Sequence, residues 1–178
     1  LILCGPAPAA VSALTILSYV LAYTPLKPVT AWATLVGAVP GALPPLIGYT
    51  AALSLSGSAT GWNGLTDPRG WSLFALMFVW QIPHFLAIAW MHREDYQRGG
   101  HRVLALIDPD GRATAWCSLL GAVVLLPLTL WPWMLMPDRL GWGYAGVAMV
   151  TGLAFVAQCT MLVRDRSRPR ARAVFFGS

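Results

Sequence analysis

Long apolar stretches alternate with short polar connections along this chain, and the alternation predicts its architecture. A helix of about 17 to 25 apolar residues crosses a hydrocarbon core of roughly 30 Å. Five such stretches are predicted, at 7–23, 33–55, 70–91, 115–136 and 142–163. The chain is 57% hydrophobic and only 11% charged, which leaves too few polar side chains to cover a soluble domain. We therefore expect an all-α, polytopic bundle of transmembrane helices that forms one membrane-embedded domain over residues 1–178.

The basic residues are distributed unevenly between the connections. Ten of the twelve Lys and Arg residues fall in the first connection, the third connection and the tail, and two fall elsewhere. Because alternate connections share a side of the membrane, the positive-inside rule assigns 24–32, 92–114 and 164–178 to the cytoplasmic side. The net charge of +5 is thus explained by topology, and no nucleic-acid partner is expected.

Helix-breaking residues concentrate in the second apolar stretch. It contains three prolines and three glycines between residues 37 and 48. Proline removes a backbone hydrogen bond, and non-helical backbone at membrane depth is tolerated only against protein or a cavity. The run predicts a broken helix, which either lines a pocket or packs closely on its neighbours through small residues.

Two polar side chains lie at the end of the first stretch, at the membrane surface. Tyr23 and Lys27 lie four residues apart, and Pro25 and Pro28 end the helix there. The ammonium of Lys27 is a compact charge suited to a phosphate oxygen. A topology anchor beside an interfacial aromatic is the alternative interpretation of this pair.

The third stretch carries a histidine at membrane depth, directly after Pro83. Pro83 should kink the helix, and a resumed helix would carry a polar stripe towards the surface, with Gln81 and Arg98 at its edges. The stripe consists of His84, Ile88, Met91 and Asp95. For His84, the pattern leaves open an interhelical hydrogen bond, proton transfer or ligation of a cofactor metal.

A carboxylate pair follows this stretch. Glu94 and Asp95 are adjacent acids among Arg93, Arg98 and Arg102. Carboxylates suit Mg²⁺, which typically bridges one or two acids to substrate phosphates, and arginines bind phosphate oxygens directly. The mixture favours a diphosphate site, and a solvated cluster of mutually paired charges is the alternative.

Taken together, these motifs resemble the protoheme IX farnesyltransferases (heme O synthases) of the intramembrane aromatic prenyltransferase superfamily. The match runs in order along nearly the whole chain, ending with Gly111, Thr114 and residues 173–178. Its main elements are Tyr-Thr-Pro-Leu-Lys at 23–27, Gly-Ala-Leu-Pro-Pro-Leu-Ile-Gly at 41–48, Trp-Gln-Ile-Pro-His-Phe at 80–85, and Asp-Tyr at 95–96 with Gly-Gly at 99–100.

The resemblance implies a helical membrane fold with a central cavity, in which a farnesyl group passes from farnesyl diphosphate to a vinyl group of heme B. It implies Mg²⁺ held with the diphosphate, a bacterial inner membrane location, and heme A synthase as a candidate partner. The implied catalytic residues are Lys27, His84 and Asp95, and Glu94 and Asp95 are the implied metal ligands. The implied substrate-binding residues are Tyr23, Lys27, Gln81, His84, Tyr96 and Arg98, and Tyr49, Trp80 and Phe85 are candidate aromatics around an allylic cation.

The chain also departs from the resembled pattern. The superfamily's first motif, Asn-x-x-x-Asp-x-x-x-Asp, does not occur in it, so we expect a fragment that lacks the N-terminal helices and the C-terminal end and is inactive by itself. Glu94 stands where the family more usually has Asp, Pro28 where it has Arg or Lys, and Arg102-Val103 where it has Pro-Met.

Three other functions fit parts of the pattern. A transporter subunit would share the broken helices and the polar groups at membrane depth. A prenyltransferase acting on a quinone precursor would share the Tyr-x-x-x-Lys element and the acidic pair. A noncatalytic assembly partner of a heme-copper oxidase would bind heme without consuming farnesyl diphosphate.

Overall fold

The computed structural model describes residues 4–57 and 60–178, and within these ranges the chain is helical with no strand. The first stretch forms α1 (Pro6–Leu17), a π-helical turn (Ser18–Tyr23) and α2 (Thr24–Leu26). The second forms α3 (Ala33–Ala42) and α4 (Pro44–Leu55). The remaining helices are a 3₁₀ turn (Trp62–Leu65), α5 (Pro68–Met91), α6 (Arg93–Arg98), α7 (Leu104–Ile107), α8 (Arg112–Leu135), α9 (Pro137–Arg164) and α10 (Arg168–Gly177).

Five helical segments of the described chain are long and apolar enough to cross a membrane. They are Pro6–Leu26, Ala33–Leu55, Pro68–Met91, Arg112–Leu135 and Pro137–Arg164. The sequence prediction of five spans in an all-α bundle is therefore confirmed, with boundaries that differ by a few residues.

The predicted break in the second stretch is also confirmed. Helix α3 ends at Ala42 and α4 begins at Pro44. A proline at the first position of a helix has no N–H to leave unpaired, so the pair Pro44-Pro45 starts α4 rather than extending α3. Pro83 behaves differently, because α5 passes through it as one helix.

The main hydrophobic core lies between the helices of the carboxyl-terminal half of the fold. Helices α5, α8, α9 and α10 pack together through many alanines, and small side chains let transmembrane helices approach closely. Its buried residues are Ala87, Ala89, Trp90, Ala105, Ala115, Ala122, Leu125, Phe155, Cys159, Leu162, Ala171 and Val174. A smaller core of Val11, Leu43 and Leu46 joins α1 to α4.

Three connections meet at one end of the bundle, which we call the basic end (residues 27–32, 92–111 and 165–167). The backbone N–H of Arg102 donates to the carbonyl of Lys27 at 2.9 Å, joining the first and third connections. Arg168 pairs with Glu94, joining the third connection to α10. Residues 56–57, 60–67 and 136 lie at the opposite end, where the N–H of Ala7 donates to the carbonyl of Thr60. These contacts thus bring together, at one end of the bundle, the three segments that the charge pattern assigned to the same side of the membrane.

Candidate functional site

A cavity of about 580 Å³ opens between α1, α3 and α5. Its walls carry apolar and aromatic side chains with a few polar groups, which is the usual composition of a pocket for an apolar ligand. The lining residues include Ile16, Tyr19, Tyr23, Gly37, Gly41, Gln81, Phe85, Ala89, Tyr96 and Val103. The broken second stretch therefore lines a pocket, as one of its two interpretations predicted.

The π-helical turn presents Tyr19, Tyr23 and Lys27 together. The two tyrosine rings are 5.1 Å apart between centroids. The Lys27 Nζ lies 4.5 Å from the Tyr23 ring centroid and 5.5 Å from that of Tyr19. Single π-helical turns inside α-helices are frequent at functional sites. The sequence pattern indicated Tyr23 and Lys27 but missed Tyr19, although its i, i+4 spacing from Tyr23 is the signal that could have found it.

Two glycines of α3 let cavity side chains approach its backbone. A Cβ on Gly37 would lie 2.6 Å from the Tyr23 ring, and a Cβ on Gly41 would overlap the Gln81 amide oxygen. Gln81 is buried, and its amide donates to the carbonyls of Met77 at 2.9 Å and Ala38 at 3.3 Å. The glycines thus hold Tyr23 and Gln81 against α3, on the cavity wall.

A smaller pocket of about 230 Å³ adjoins the cavity at the basic end, and we call it the cationic pocket. It shares Tyr23, Thr34, Tyr96 and Val103 with the cavity, and its other lining residues are Lys27, Ala33, His101 and Arg102. None of these eight residues is acidic. The sequence pattern placed Arg102 among the arginines that could bind phosphate oxygens beside the acidic pair, but it did not identify His101, which belongs to no recognised motif.

The acidic pair stands on α6, with its two members in different settings. Glu94 Oε1 accepts from Arg168 Nη2 at 2.6 Å. Asp95 is 66% exposed, and its oxygens lie 3.5 Å from His92 Nδ1 and 3.5 Å from Arg98 Nη1. Asp95 therefore has carboxylate oxygens accessible to a ligand, whereas Glu94 has a close partner. Within residues 4–57 and 60–178, no cluster of three or more His, Cys, Asp or Glu side chains forms a metal cage.

The stripe expected from His84 to Asp95 is not continuous, so that prediction is wrong. Helix α5 ends at Met91, and His92 has non-helical angles (φ −111°, ψ 29°) before α6 begins. Asp95 therefore belongs to a separate helix, and the 100° step per residue cannot be extrapolated across His92.

His84 lies on a different face of α5 from Gln81 and Phe85. Its Nδ1 is 2.8 Å from the Ser178 hydroxyl oxygen, and its ring packs on Trp80 and Phe175. The Trp80 indole N–H donates to the Ser178 carbonyl. Among the three candidate aromatics, only Phe85 lines the cavity, because Trp80 faces α10 and Tyr49 donates to Asp67 at the opposite end.

Comparisons with known proteins identify the family of this chain. The sequence profile of the UbiA prenyltransferase family matches residues 1–178. The chain is 42% identical to a protoheme IX farnesyltransferase of Solibacter usitatus, over 96% of this chain and 54% of that protein. It is 39% identical to proteins of the same name from Opitutus terrae (97% of this chain, 55% of that protein) and Salinibacter ruber (90% and 52%).

The chain spans about half the length of the curated relatives it matches. No solved structure is detectably similar to it. The family match covers every residue, and the helices, the cavity and the polar residues at the basic end fit an enzyme that works within a membrane. This chain belongs to the UbiA prenyltransferase family.

Proposed function

We propose that this chain forms the diphosphate-binding part of a membrane enzyme that transfers a farnesyl group from farnesyl diphosphate to a vinyl carbon of heme B. Water adds a hydroxyl to the other vinyl carbon and loses a proton, so that the products are heme O and diphosphate. The observation that carries the proposal is the junction of an apolar cavity with a cationic pocket, which share Tyr23 and Tyr96. Farnesyl diphosphate has the matching form, an apolar chain ending in a strongly anionic head. The name shared by the three relatives supports heme B as the acceptor.

The head of the donor is assigned to the cationic pocket. The ammonium of Lys27 supplies a point charge, and the hydroxyls of Tyr23 and Tyr96 are hydrogen-bond donors at the same pocket. Charges that stabilise the departing diphosphate lower the barrier to its loss, because negative charge on that group grows as the bond breaks. Arg98, which is exposed beside Asp95, is a further proposed contact for the phosphate oxygens.

Mg²⁺ fits the donor set of the basic end. The ion usually keeps several waters and is held by one or two carboxylates together with substrate phosphates. Asp95 offers such a carboxylate, and Glu94 becomes a second one when its exposed pair with Arg168 opens. When bound, the ion would neutralise charge on the diphosphate.

The chain of the donor is assigned to the cavity. Phe85, Tyr19 and Tyr23 turn aromatic side chains towards it, and aromatic faces attract a cation such as the allylic group left by the diphosphate. Gln81 is anchored to α3 and α5, so its amide contributes to a fixed wall rather than a mobile one. The mostly apolar lining excludes water, which protects a reactive cation until the acceptor carbon attacks it.

His84 is proposed to act at the acceptor from the other face of α5. Its ring is half-buried between Trp80 and Phe175, a setting suited to contact with a flat macrocycle or to proton handling. We further propose that the basic end faces the cytoplasm of a bacterial inner membrane, in accord with the positive-inside rule. Heme A synthase, which would use the product, is a proposed partner.

The experiment is a product assay with the full-length protein of the parent gene in isolated membranes. Farnesyl diphosphate is supplied with heme B or with a phenolic quinone precursor, with Mg²⁺ or with a chelator, and products are identified by mass spectrometry. We expect heme B alone to gain a hydroxyethylfarnesyl group, and only when Mg²⁺ is present. Prenylation of the phenol instead would replace the acceptor assignment, and no prenylated product from folded protein would overturn the proposal.

A further inference from the structure

The connection between α6 and α7 brings an arginine to the cationic pocket beside Lys27. Lys27 ends α2, whereas Arg102 lies in the segment between α6 and α7, more than seventy positions later in the chain. Both line the pocket, together with His101. We infer that Arg102 is a second diphosphate-binding residue, which binds the donor's head together with Lys27. This inference rests on the proposed function and deepens it.

Four other arginines in or next to the basic end already have partners. Arg168 pairs with Glu94, Arg170 with Asp165 and Arg98 with Asp95. Arg93 lies over the Trp90 ring and donates to the carbonyl of Pro109. None of these four arginines lines the cationic pocket.

Lys27 and Arg102 are held differently from those four. Within the described ranges, neither lies within 4.0 Å of a carboxylate. Lys27 rests over tyrosine rings, and the one hydrogen bond of the Arg102 guanidinium is a long one, 3.4 Å to the carbonyl of Val29. A diphosphate that enters the pocket therefore meets two cations without first breaking an internal salt bridge, which would offset the energy of binding.

A backbone contact keeps the two residues together independently of their side chains. The N–H of Arg102 donates to the carbonyl of Lys27 at 2.9 Å. Any replacement of Arg102 except proline keeps this hydrogen bond. Side-chain variants at this position therefore change the charge in the pocket while leaving the two connections joined.

The two cations have complementary geometry. The Lys27 ammonium is a compact charge, whereas the Arg102 guanidinium is a planar fork that can bind two phosphate oxygens at once. Replacing Arg102 by lysine should accordingly restore charge without the fork, and replacing it by glutamine should remove both. Arg112 provides the matched control, because it is exposed in the same connection region but does not line the pocket.

The test uses the full-length protein of the parent gene with Arg102→Gln, Arg102→Lys and Arg112→Gln. Three quantities are measured: the KM for farnesyl diphosphate, the KM for heme B, and the inhibition constant of inorganic pyrophosphate. Loss of a hydrogen-bonded charge pair should raise the first and third about tenfold in Arg102→Gln. We expect an unchanged KM for heme B, partial recovery in Arg102→Lys, and wild-type values in Arg112→Gln.

Equal constants in Arg102→Gln and Arg112→Gln would overturn the inference while the proposed function stood. If the wild-type protein prenylates no heme, the proposed function fails, and calorimetric titration with pyrophosphate and Mg²⁺ then decides the inference alone. Weaker pyrophosphate binding by Arg102→Gln than by Arg112→Gln would support it. Equal binding by the two variants, or no binding by folded wild-type protein, would overturn it.

Discussion

The two ends of the bundle each hold an aspartate beside an arginine, yet the two carboxylates differ in exposure and in hydrogen bonding. Asp67, at the end away from the cationic pocket, has a side chain only 15% exposed, whereas that of Asp95 is 66% exposed. Asp67 accepts from the Tyr49 hydroxyl at 2.6 Å and from the backbone and side-chain N–H groups of Arg69 at 2.9 and 3.0 Å. Asp95 has only contacts of 3.5 Å.

This difference separates a structural carboxylate from one that is available to a ligand. The hydrogen-bonding capacity of Asp67 is used within the protein, where it caps α5 and ties it to α4. The hydrogen-bonding capacity of Asp95 remains available to a ligand. Both occur as Asp near Arg in the sequence, so composition alone does not distinguish them, and the contacts do.

The largest effect on activity is expected from removing the ligand-accessible carboxylate, that of Asp95. Asp95→Ala in the full-length protein should lower the rate of farnesyl transfer by on the order of a hundredfold, because charge stabilisation of the leaving diphosphate is lost. Its thermal stability in detergent should remain within about 0.5 kcal/mol of wild type, as is usual for exposed positions. Activity near the wild-type level would remove Asp95 from the site.

Removing the structural carboxylate should have the opposite profile. Asp67→Ala loses a helix cap and leaves Tyr49 and Arg69 without their acceptor, which should cost roughly 1 to 3 kcal/mol of stability. The activity per folded molecule should be unchanged, since Asp67 lies at the end away from the cationic pocket. Denaturation in mixed micelles and a rate corrected for folded fraction measure the two quantities. A stable but inactive variant would reverse the assignment of the two ends.

The cavity wall can be tested with a pair of glycines on the two halves of the broken helix. In Gly37→Ala, the added Cβ would meet the Tyr23 ring, whereas the same change at Gly48 meets nothing within 4 Å. Displacement of Tyr23 should reduce kcat/KM for farnesyl diphosphate by on the order of tenfold. Gly48→Ala should leave it unchanged. Equal values in the two variants would mean that Tyr23 needs no fixed position.

A smaller effect is expected from pH. Hydrogen bonds from Arg69 and Tyr49 lower the pKa of Asp67, so ionised Asp67 stabilises the folded state. That contribution is present above the ordinary carboxyl pKa of about 3.9 and is lost as pH falls through the lowered value. The stability difference between wild type and Asp67→Asn should therefore be largest near neutral pH and shrink below about pH 4. A difference that stays constant down to pH 3 would contradict this origin.

Much of the fold was predictable, because the apolar length of each stretch depends on local composition. The break before Pro44 was also predictable, because proline removes a backbone hydrogen bond of the helix. The apolar stretch predicted at 70–91 ends at Met91, as α5 does, but the break at His92 that separates α6 from α5 was not predicted, since His92 carries no helix-breaking signal.

Some of the residues that line the two pockets were predictable from motifs, and the others were not. Tyr23, Lys27, Gln81 and Tyr96 line the two pockets as the motifs suggested. Tyr19 belongs to no motif, and the position of Arg102 beside Lys27 did not emerge, because a contact between distant connections brings it there. Such placements depend on tertiary structure that single-sequence patterns do not encode.

The location of the prenyl chain tests the account most directly. Full-length protein would be irradiated with a farnesyl diphosphate analogue that carries a diazirine on its terminal isoprene unit, and the labelled peptides would be identified by mass spectrometry. We predict adducts in 15–23, 34–41 and 81–89, the segments that line the cavity, and their loss in the presence of excess farnesyl diphosphate. Competed labelling confined to the surfaces of α8 and α9 would contradict the assignment of the cavity.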